Sequence, residues 1–98
     1  MLEIRLTTAA IGDLAEIDGF GGERFGDDAA DAYQLGIAKV FARLQSFPLS
    51  GELRPAYGEE IRCVVYRSHR ILYKVDAEGI VVARILHHSR DVQKHLKP

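Results

Sequence analysis

The side chains able to do chemistry are densest in Arg84-Ile85-Leu86-His87-His88-Ser89-Arg90-Asp91, near the C-terminal end of the 98-residue chain. Arginine and histidine, with tyrosine elsewhere, suit the handling of phosphate anions, or no catalysis at all. Adjacent His87 and His88 in a strand point to opposite faces and cannot chelate one ion simply, so no metal and no cofactor is expected. His87 is expected partly in the core with one ring nitrogen bonded, which leaves His88 as the better functional candidate. Arg84 reads as a solvated strand residue, and Arg90 with Asp91 as a local ion pair worth little. No Ser/His/Asp order and no paired carboxylates stand out. Cys63 is the only cysteine, falls mid-strand and reads as a small core residue rather than a nucleophile. A lone cysteine makes no intrachain disulfide, which points to a reducing cytosol.

The elements that must hold these residues are strands. Between Gly58 and Asp91 lie three apolar-rich runs, Ile61–Arg67, Arg70–Val75 and Ile80–His87, with short gaps that predict an antiparallel meander. Asp76-Ala77-Glu78-Gly79 has the composition of a three-residue hairpin loop closed by a glycine bulge. That register sets Asp76 opposite Ile80, Val75 opposite Val81, Tyr73 opposite Ala83 and Ile71 opposite Ile85, all six of the latter on one core face. Cys63 and Val65 extend this face if the Arg67-Ser68-His69 turn is also three residues long. The opposite face then collects Arg62, Val64, Arg70, Leu72, Lys74, Ile80, Val82, Arg84, Leu86 and His88. Two readings of this half-apolar, half-cationic face stand side by side. Long Arg and Lys stems cover the apolar residues, or the face docks an amphipathic, acidic partner.

Upstream, Leu2–Thr7 alternates as a half-buried strand that must join the same sheet at an edge. Thr7 or Thr8 caps a helix to about Asp18, with Ile11, Leu14 and Ile17 as its apolar stripe. The glycines of residues 19–26 predict a flexible connection, and they lack the spacing of a phosphate-binding loop. Asp27 or Asp28 caps a second helix to Phe47, whose apolar face is Tyr33, Ile37, Val40, Phe41 and Leu44. Pro48 stops it. Residues 48–58 read as irregular and 90–98 as a polar, basic, frayed tail. The order gives an α+β fold in a single domain spanning 1–98: an N-terminal strand, a two-helix hairpin, then a three-stranded antiparallel meander. No apolar run has the length of a membrane span, and Met1 to Arg5 carries no signal-peptide pattern.

A net charge of −1 hides an asymmetry. Residues 1–60 hold five Lys/Arg against eleven Asp/Glu, and residues 61–98 hold eight against three. A basic sheet beside acidic helices suits an anionic partner, but the overall balance is a weak case for non-specific nucleic-acid binding.

The pattern Phe47-Pro48, Gly51, Ile61-Arg62, His69-Arg70-Ile71-Leu72-Tyr73-Lys74-Val75, Ile80-Val81-Val82 and Arg84 to Asp91 resembles the RelE/ParE superfamily of bacterial toxins, and the ParE branch most closely. With the opening strand and helical hairpin, the likeness covers nearly the whole chain. The resemblance implies a cytoplasmic toxin of a type II toxin–antitoxin system, of the kind tied to plasmid stabilisation. It also implies a hetero-oligomer with a ParD-like, ribbon-helix-helix antitoxin whose C-terminal segment wraps the toxin. The antitoxin is expected on Arg62, Val64, Arg70, Leu72, Val82, Arg84 and Leu86.

RelE-like members cleave messenger RNA on the ribosome, whereas ParE-like members poison DNA gyrase. Arg70 and Arg90 match arginines of the ribonuclease members, and Arg62 stands in for a lysine. Val64 replaces a second lysine, and Leu96 falls near the C-terminal tyrosine position, so the general base is missing. If the chain were a ribonuclease, Arg70, His88 and Arg90 would be its catalytic set. The resemblance favours gyrase poisoning by binding, with His88, Arg90, Lys94 and Lys97 on the target.

Overall fold

The computed structural model describes residues 2–90. Strand β1 (Glu3–Leu6) leads into helices α1 (Thr8–Phe25) and α2 (Asp27–Ser46). Strands β2 (Glu52–Leu53), β3 (Arg62–Tyr66), β4 (His69–Asp76) and β5 (Gly79–His87) follow, with a 3-10 turn at Pro55–Tyr57. One mixed sheet has the order β1-β5-β4-β3-β2. The meander and the edge position of the first strand are as the alternation predicts, and β1 pairs in parallel with β5. The helical hairpin lies on one sheet face. Its α2 stripe, Ile37, Val40 and Leu44, is buried with Ala10, Ile71, Tyr73, Ile80, Val82 and Ile85. Each large side chain of that set contributes about 1.5–3 kcal/mol.

Several local expectations are corrected. Helix α1 does not stop at Asp18 but runs through the glycines to Phe25, and the break is a single residue, Gly26, at φ 88°. Gly26 is also the N-cap of α2, so neither Asp27 nor Asp28 caps it; both sit in its first turn, where their charge suits the dipole. Thr7 caps α1 as expected, accepting from the Ala10 amide at 3.0 Å. The 48–58 loop contains β2, which pairs antiparallel with β3.

The strand register differs in a way that matters for the site. Both hairpin turns have two residues, since Tyr66 pairs with His69 and Asp76 with Gly79. Asp76 Oδ1 closes the second turn by accepting from the Glu78 and Gly79 amides. The extra residue sits in mid-strand instead. Tyr73 pairs with Val82 and Leu72 with Arg84, so Ala83 is left over as a β-bulge. Ile71 does face Ile85 as predicted, but on the turn side of the bulge Ile80 and Val82 point at the helices in place of Val81 and Ala83. The expected mixed face therefore does not exist. On the outer face Cys63, Leu72 and Leu86 form a small second core under Tyr57 and Ile61 from the 54–61 segment. Val65, expected in the core, is 67% exposed.

Two close approaches set the sheet's edges. Gly79 adopts φ 142°, and a methyl group there would collide with the Glu3 carbonyl oxygen of β1. The fully buried Tyr73 donates its hydroxyl proton to the Pro48 carbonyl and accepts from the Gly51 amide, both at 2.8 Å, which ties the chain after α2 to the sheet. Tyr73→Phe leaves two backbone groups unpaired and is expected to cost about 1–3 kcal/mol. Gly79→Ala combines a positive-φ penalty of about 1–3 kcal/mol with a backbone clash and should cost more. Urea unfolding of the two variants checks both the loss and its order.

Candidate functional site

The site is built where α1 and the start of α2 overhang the junction of β4 and β5. Its anchor is Asp13, a carboxylate on the apolar side of α1 with Ala10, Leu14 and Ile17 around it. Asp13 is 8% exposed. A buried carboxylate must be matched by donors. Asp13 Oδ2 accepts from Arg84 Nε at 2.8 Å and from the Ile85 amide at 2.9 Å, and Oδ1 accepts from Arg84 Nη2 at 2.8 Å. The Asp13 hydrogen bond holds the Arg84 guanidinium above its ordinary pKa, against the opposing effect of burial and with the added attraction of the carboxylate charge. Arg84 is thus not the solvated strand residue its position suggests; the bulge at Ala83 re-aims it toward α1.

Next to this pair lies a chain of rings. Tyr33 of α2 bonds His69 Nδ1 at 2.6 Å. Burial lowers the His69 pKa, helped by the nearness of His87 and His88, and burial raises that of Tyr33. The Tyr33 hydroxyl also lies 3.4 Å from the Tyr66 carbonyl oxygen, so the tautomer of His69 sets the direction of the short bond. His69 and His87 meet edge to face at 5.4 Å, and His87 and His88 tilt together at 4.3 Å. The two adjacent histidines do not point to opposite faces, because β5 ends at His87 and the chain turns at His88, whose amide donates to Ser68 O. His87 is half-buried with Nδ1 at 2.8 Å from Ser89 Oγ, as its sequence position predicts.

A groove of about 280 Å³ opens from these rings toward the hairpin tip, lined by Ile17, Phe20, Phe25, Tyr33, His69 and His87. Phe20 is 56% and Phe25 69% exposed. Sequence reasoning missed this wall because it read residues 19–26 as a loop. The signal was available: Asp13, Ile17 and Phe20 share one face once the helix is continued.

The sequence-derived residues scatter over this frame. Arg90 lines an adjoining hollow with Ile17, Phe20 and His87, its guanidinium 3.4 Å from Glu16, and His88 is exposed against the His87 ring. Arg70 pairs in register with Leu86 and lies on the other sheet face, so Arg70, His88 and Arg90 do not converge. Of the residues expected to meet an antitoxin, Leu72 and Val82 have no exposed surface and Leu86 is 4% exposed. Val64 packs against the helix-side core, and Arg62 donates to the Leu49 and Gly51 carbonyls. These seven residues form no single surface. Burial raises the Cys63 thiol pKa, in keeping with a core role. Asp91, Lys94, Leu96 and Lys97 lie outside the described residues. Among those described, no cluster of His, Cys, Asp or Glu has the arrangement of a metal site, and no helix is long and apolar enough to cross a membrane.

Two outcomes follow. Asp13→Ala strands a largely buried guanidinium and the Ile85 amide and is expected to cost about 3 kcal/mol; Asp13→Asn, which keeps an acceptor, should cost less, and urea midpoints separate them. His69 is a base with a lowered folded pKa, so the unfolded chain binds its proton more readily. Its contribution to stability is complete above the ordinary value of 6.5 and is lost as pH falls below it. Thermal unfolding from pH 7.5 to 5 should therefore show a decline that is shallower in His69→Gln.

The comparisons with known proteins agree with this geometry. Among curated proteins none matches. A solved structure titled "Chromosomal ParDE TA system from P. aeruginosa" superposes with a TM-score of 0.77 at 21% identity, covering 89% of this chain and 96% of that one, so it shares the fold. A family model described as "ParE toxin of type II toxin-antitoxin system, parDE" matches residues 4–92, nearly the whole chain with α1, the bulged strand and the histidines, and the chain belongs to that family.

Proposed function

We propose that this toxin inhibits DNA gyrase by binding, and that a ParD-like ribbon-helix-helix antitoxin neutralises it in a hetero-oligomer in the cytoplasm. The observation that carries the reading is the dispersal of the ribonuclease-type residues. Arg70 stands on the outer sheet face, whereas Arg90 reaches Glu16 of α1 and His88 sits in the turn after β5, its amide on Ser68 O. General acid–base catalysis needs its groups within hydrogen-bond reach of one substrate, and this arrangement supports surface recognition instead. The arginines nearest the groove already face carboxylates, Arg84 on Asp13 and Arg90 on Glu16. Of these two pairs, Arg90–Glu16 is exposed and long, so a target's anion can displace Glu16 at little cost. His88 and Arg90, together with Lys94 and Lys97, form the target contact in this reading. Arg70, partly accessible on the outer face, is assigned to the antitoxin, as a carboxylate partner for a planar guanidinium.

The test is induction in a bacterial host of the wild type and of Arg90→Ala truncated after Asp91. The variant should restore colony formation and lose inhibition of gyrase supercoiling in vitro. Circular dichroism and antitoxin pull-down should be unchanged, which separates loss of target binding from loss of the fold. Full toxicity from the folded variant moves the target surface to the helical hairpin. Codon-specific messenger cleavage that disappears in His88→Ala replaces gyrase poisoning with the ribonuclease reading.

A further inference from the structure

The groove behind Phe20 is not closed off at its inner end. The adjoining hollow, of about 370 Å³, shares Ile17, Phe20, His69 and His87 with it and adds Glu16, Ser89 and Arg90. The two form one trough from the hairpin tip to the end of β5. Its ends differ in chemistry. At the tip end the walls are Phe25, Ala29 and Ala30, and among the described residues no Asp, Glu, Lys or Arg lines that part. At the other end stand the Arg90 guanidinium and the Ser89 hydroxyl.

Rings dominate the apolar part. Phe20, Phe25, Tyr33, His69 and His87 all line it. Tyr33 meets His69 edge to face at 5.5 Å, and His69 meets His87 in the same way at 5.4 Å. Burial lowers the His69 pKa, so at neutral pH that ring offers its face and edge and not a charge. Small residues keep the space between the rings open: a methyl group on Gly21 would already touch Ala30, and Ala29 is exposed. Arg90 is half exposed, and its contact with Glu16 is long at 3.4 Å. A ligand's carboxylate can take the place of Glu16 at little cost.

We propose that this trough binds a small aromatic carboxylate, its ring body held among Phe20, Tyr33, His69 and His87 and its anionic head on Arg90. Offset and edge-to-face ring contacts favour an aromatic body over an aliphatic one of equal size. A planar guanidinium takes a carboxylate through two parallel hydrogen bonds. An apolar chamber with a few polar groups converging at one end is the usual form of a small-molecule site. Residues 18–31 at the tip carry five acidic residues and one arginine, a field that turns a second anionic group away from that end. The site does not rest on the gyrase reading, although both use Arg90, and its test contains no gyrase.

The probe is naphthoate, titrated at neutral pH into the isotope-labelled full chain and followed by chemical shifts. Saturable shifts centred on residues 17–33 and 87–90 are expected, with half-saturation at or below about 1 mM, as suits a ligand of this size. Naphthamide keeps the rings and loses the charge, cyclohexanecarboxylate does the reverse, and each should bind about tenfold more weakly. Arg90→Gln should abolish the preference for naphthoate over naphthamide and leave the affinity for naphthamide unchanged, a split that a merely structural role would not produce. Ala29→Phe, at an exposed position, fills the tip end and should weaken both ring ligands by about tenfold or more. Shifts that stay linear to about ten times the expected half-saturation overturn the proposal. So do naphthamide binding as tightly as naphthoate, cyclohexanecarboxylate binding as tightly as naphthoate, binding that survives Ala29→Phe, and shifts centred on Arg70 and the outer sheet face. Groove shifts that appear on raising the protein concentration alone assign the trough to a second copy of the chain and also overturn it.

Discussion

A carboxylate placed inside a protein has to be answered by positive charge and N–H groups, and Asp13 sets that condition for this fold. Its two oxygens take three donors, all from Arg84 and Ile85 of β5. Arg84 can supply them only because Ala83 is an extra residue in the strand, and the bulge is held from the other side by the start of α1. Thr7 receives no regular strand partner; its amide donates to the Val82 carbonyl, and its hydroxyl donates to the Ala83 carbonyl while accepting from the Ala10 amide. The helix cap, the bulge and the buried ion pair are thus one connected network. Helix α1 is located on the sheet by directional bonds at both ends of this network, and apolar packing fills the space between. Such a pair gives little net stability over an apolar substitute, while losing one partner is costly. Its consequence here is position: it fixes how α1 crosses β5, and so where Ile17 and Phe20 stand relative to His69 and His87.

The same network determines which cations remain for partners. Arg84 is consumed by Asp13, and Arg5 of β1 is bound bidentately by Asp76. Arg62 is spent on backbone carbonyls of the loop after α2. Of the basic C-terminal half, Arg84 and Arg90 face carboxylates of the acidic N-terminal half. Charges left for recognition lie at the periphery: Arg90 at the end of β5, Arg70 on the outer sheet face, and Lys39 with Arg43 on α2.

Strand and helix order, the α2 stripe and the edge placement of β1 were legible because each rests on a period that burial enforces. Register was less so. The sequence shows that one residue must be accommodated between Ile71–Ile85 and the Asp76 turn, and the loop composition draws it into the turn. In the fold Asp76 closes a shorter turn through its own side chain, and the surplus residue moves to Ala83, where Thr7 can bond it. That trade depends on a residue 76 positions away, and no local pattern reports it. Helix α1 was cut short for a related reason. Glycines have low intrinsic helix propensity, yet Gly21 packs against Ala30 of α2 across the hairpin, and tertiary contact overrides propensity. Asp13 itself was a usable signal, an acid on an otherwise apolar stripe that demands a buried cation.

A chain whose arginines are mostly committed internally has little to offer a nucleic acid, whose affinity for proteins comes from neutralised phosphates and released counterions. Its exposed apolar groups carry more. Phe20 and Phe25 at the hairpin tip, Leu35 on α2 and Val65 on β3 are each more than half exposed. Burial returns about 25 cal/mol per Å² of apolar surface. Tyr33 lines the groove behind the tip, and its ring meets that of Tyr66 edge to face at 5.0 Å. The recognition capacity of the molecule is therefore organised around the helical hairpin and its seam with the sheet, on apolar surface flanked by a few unpaired cations. That is the surface chemistry of a protein that meets other proteins.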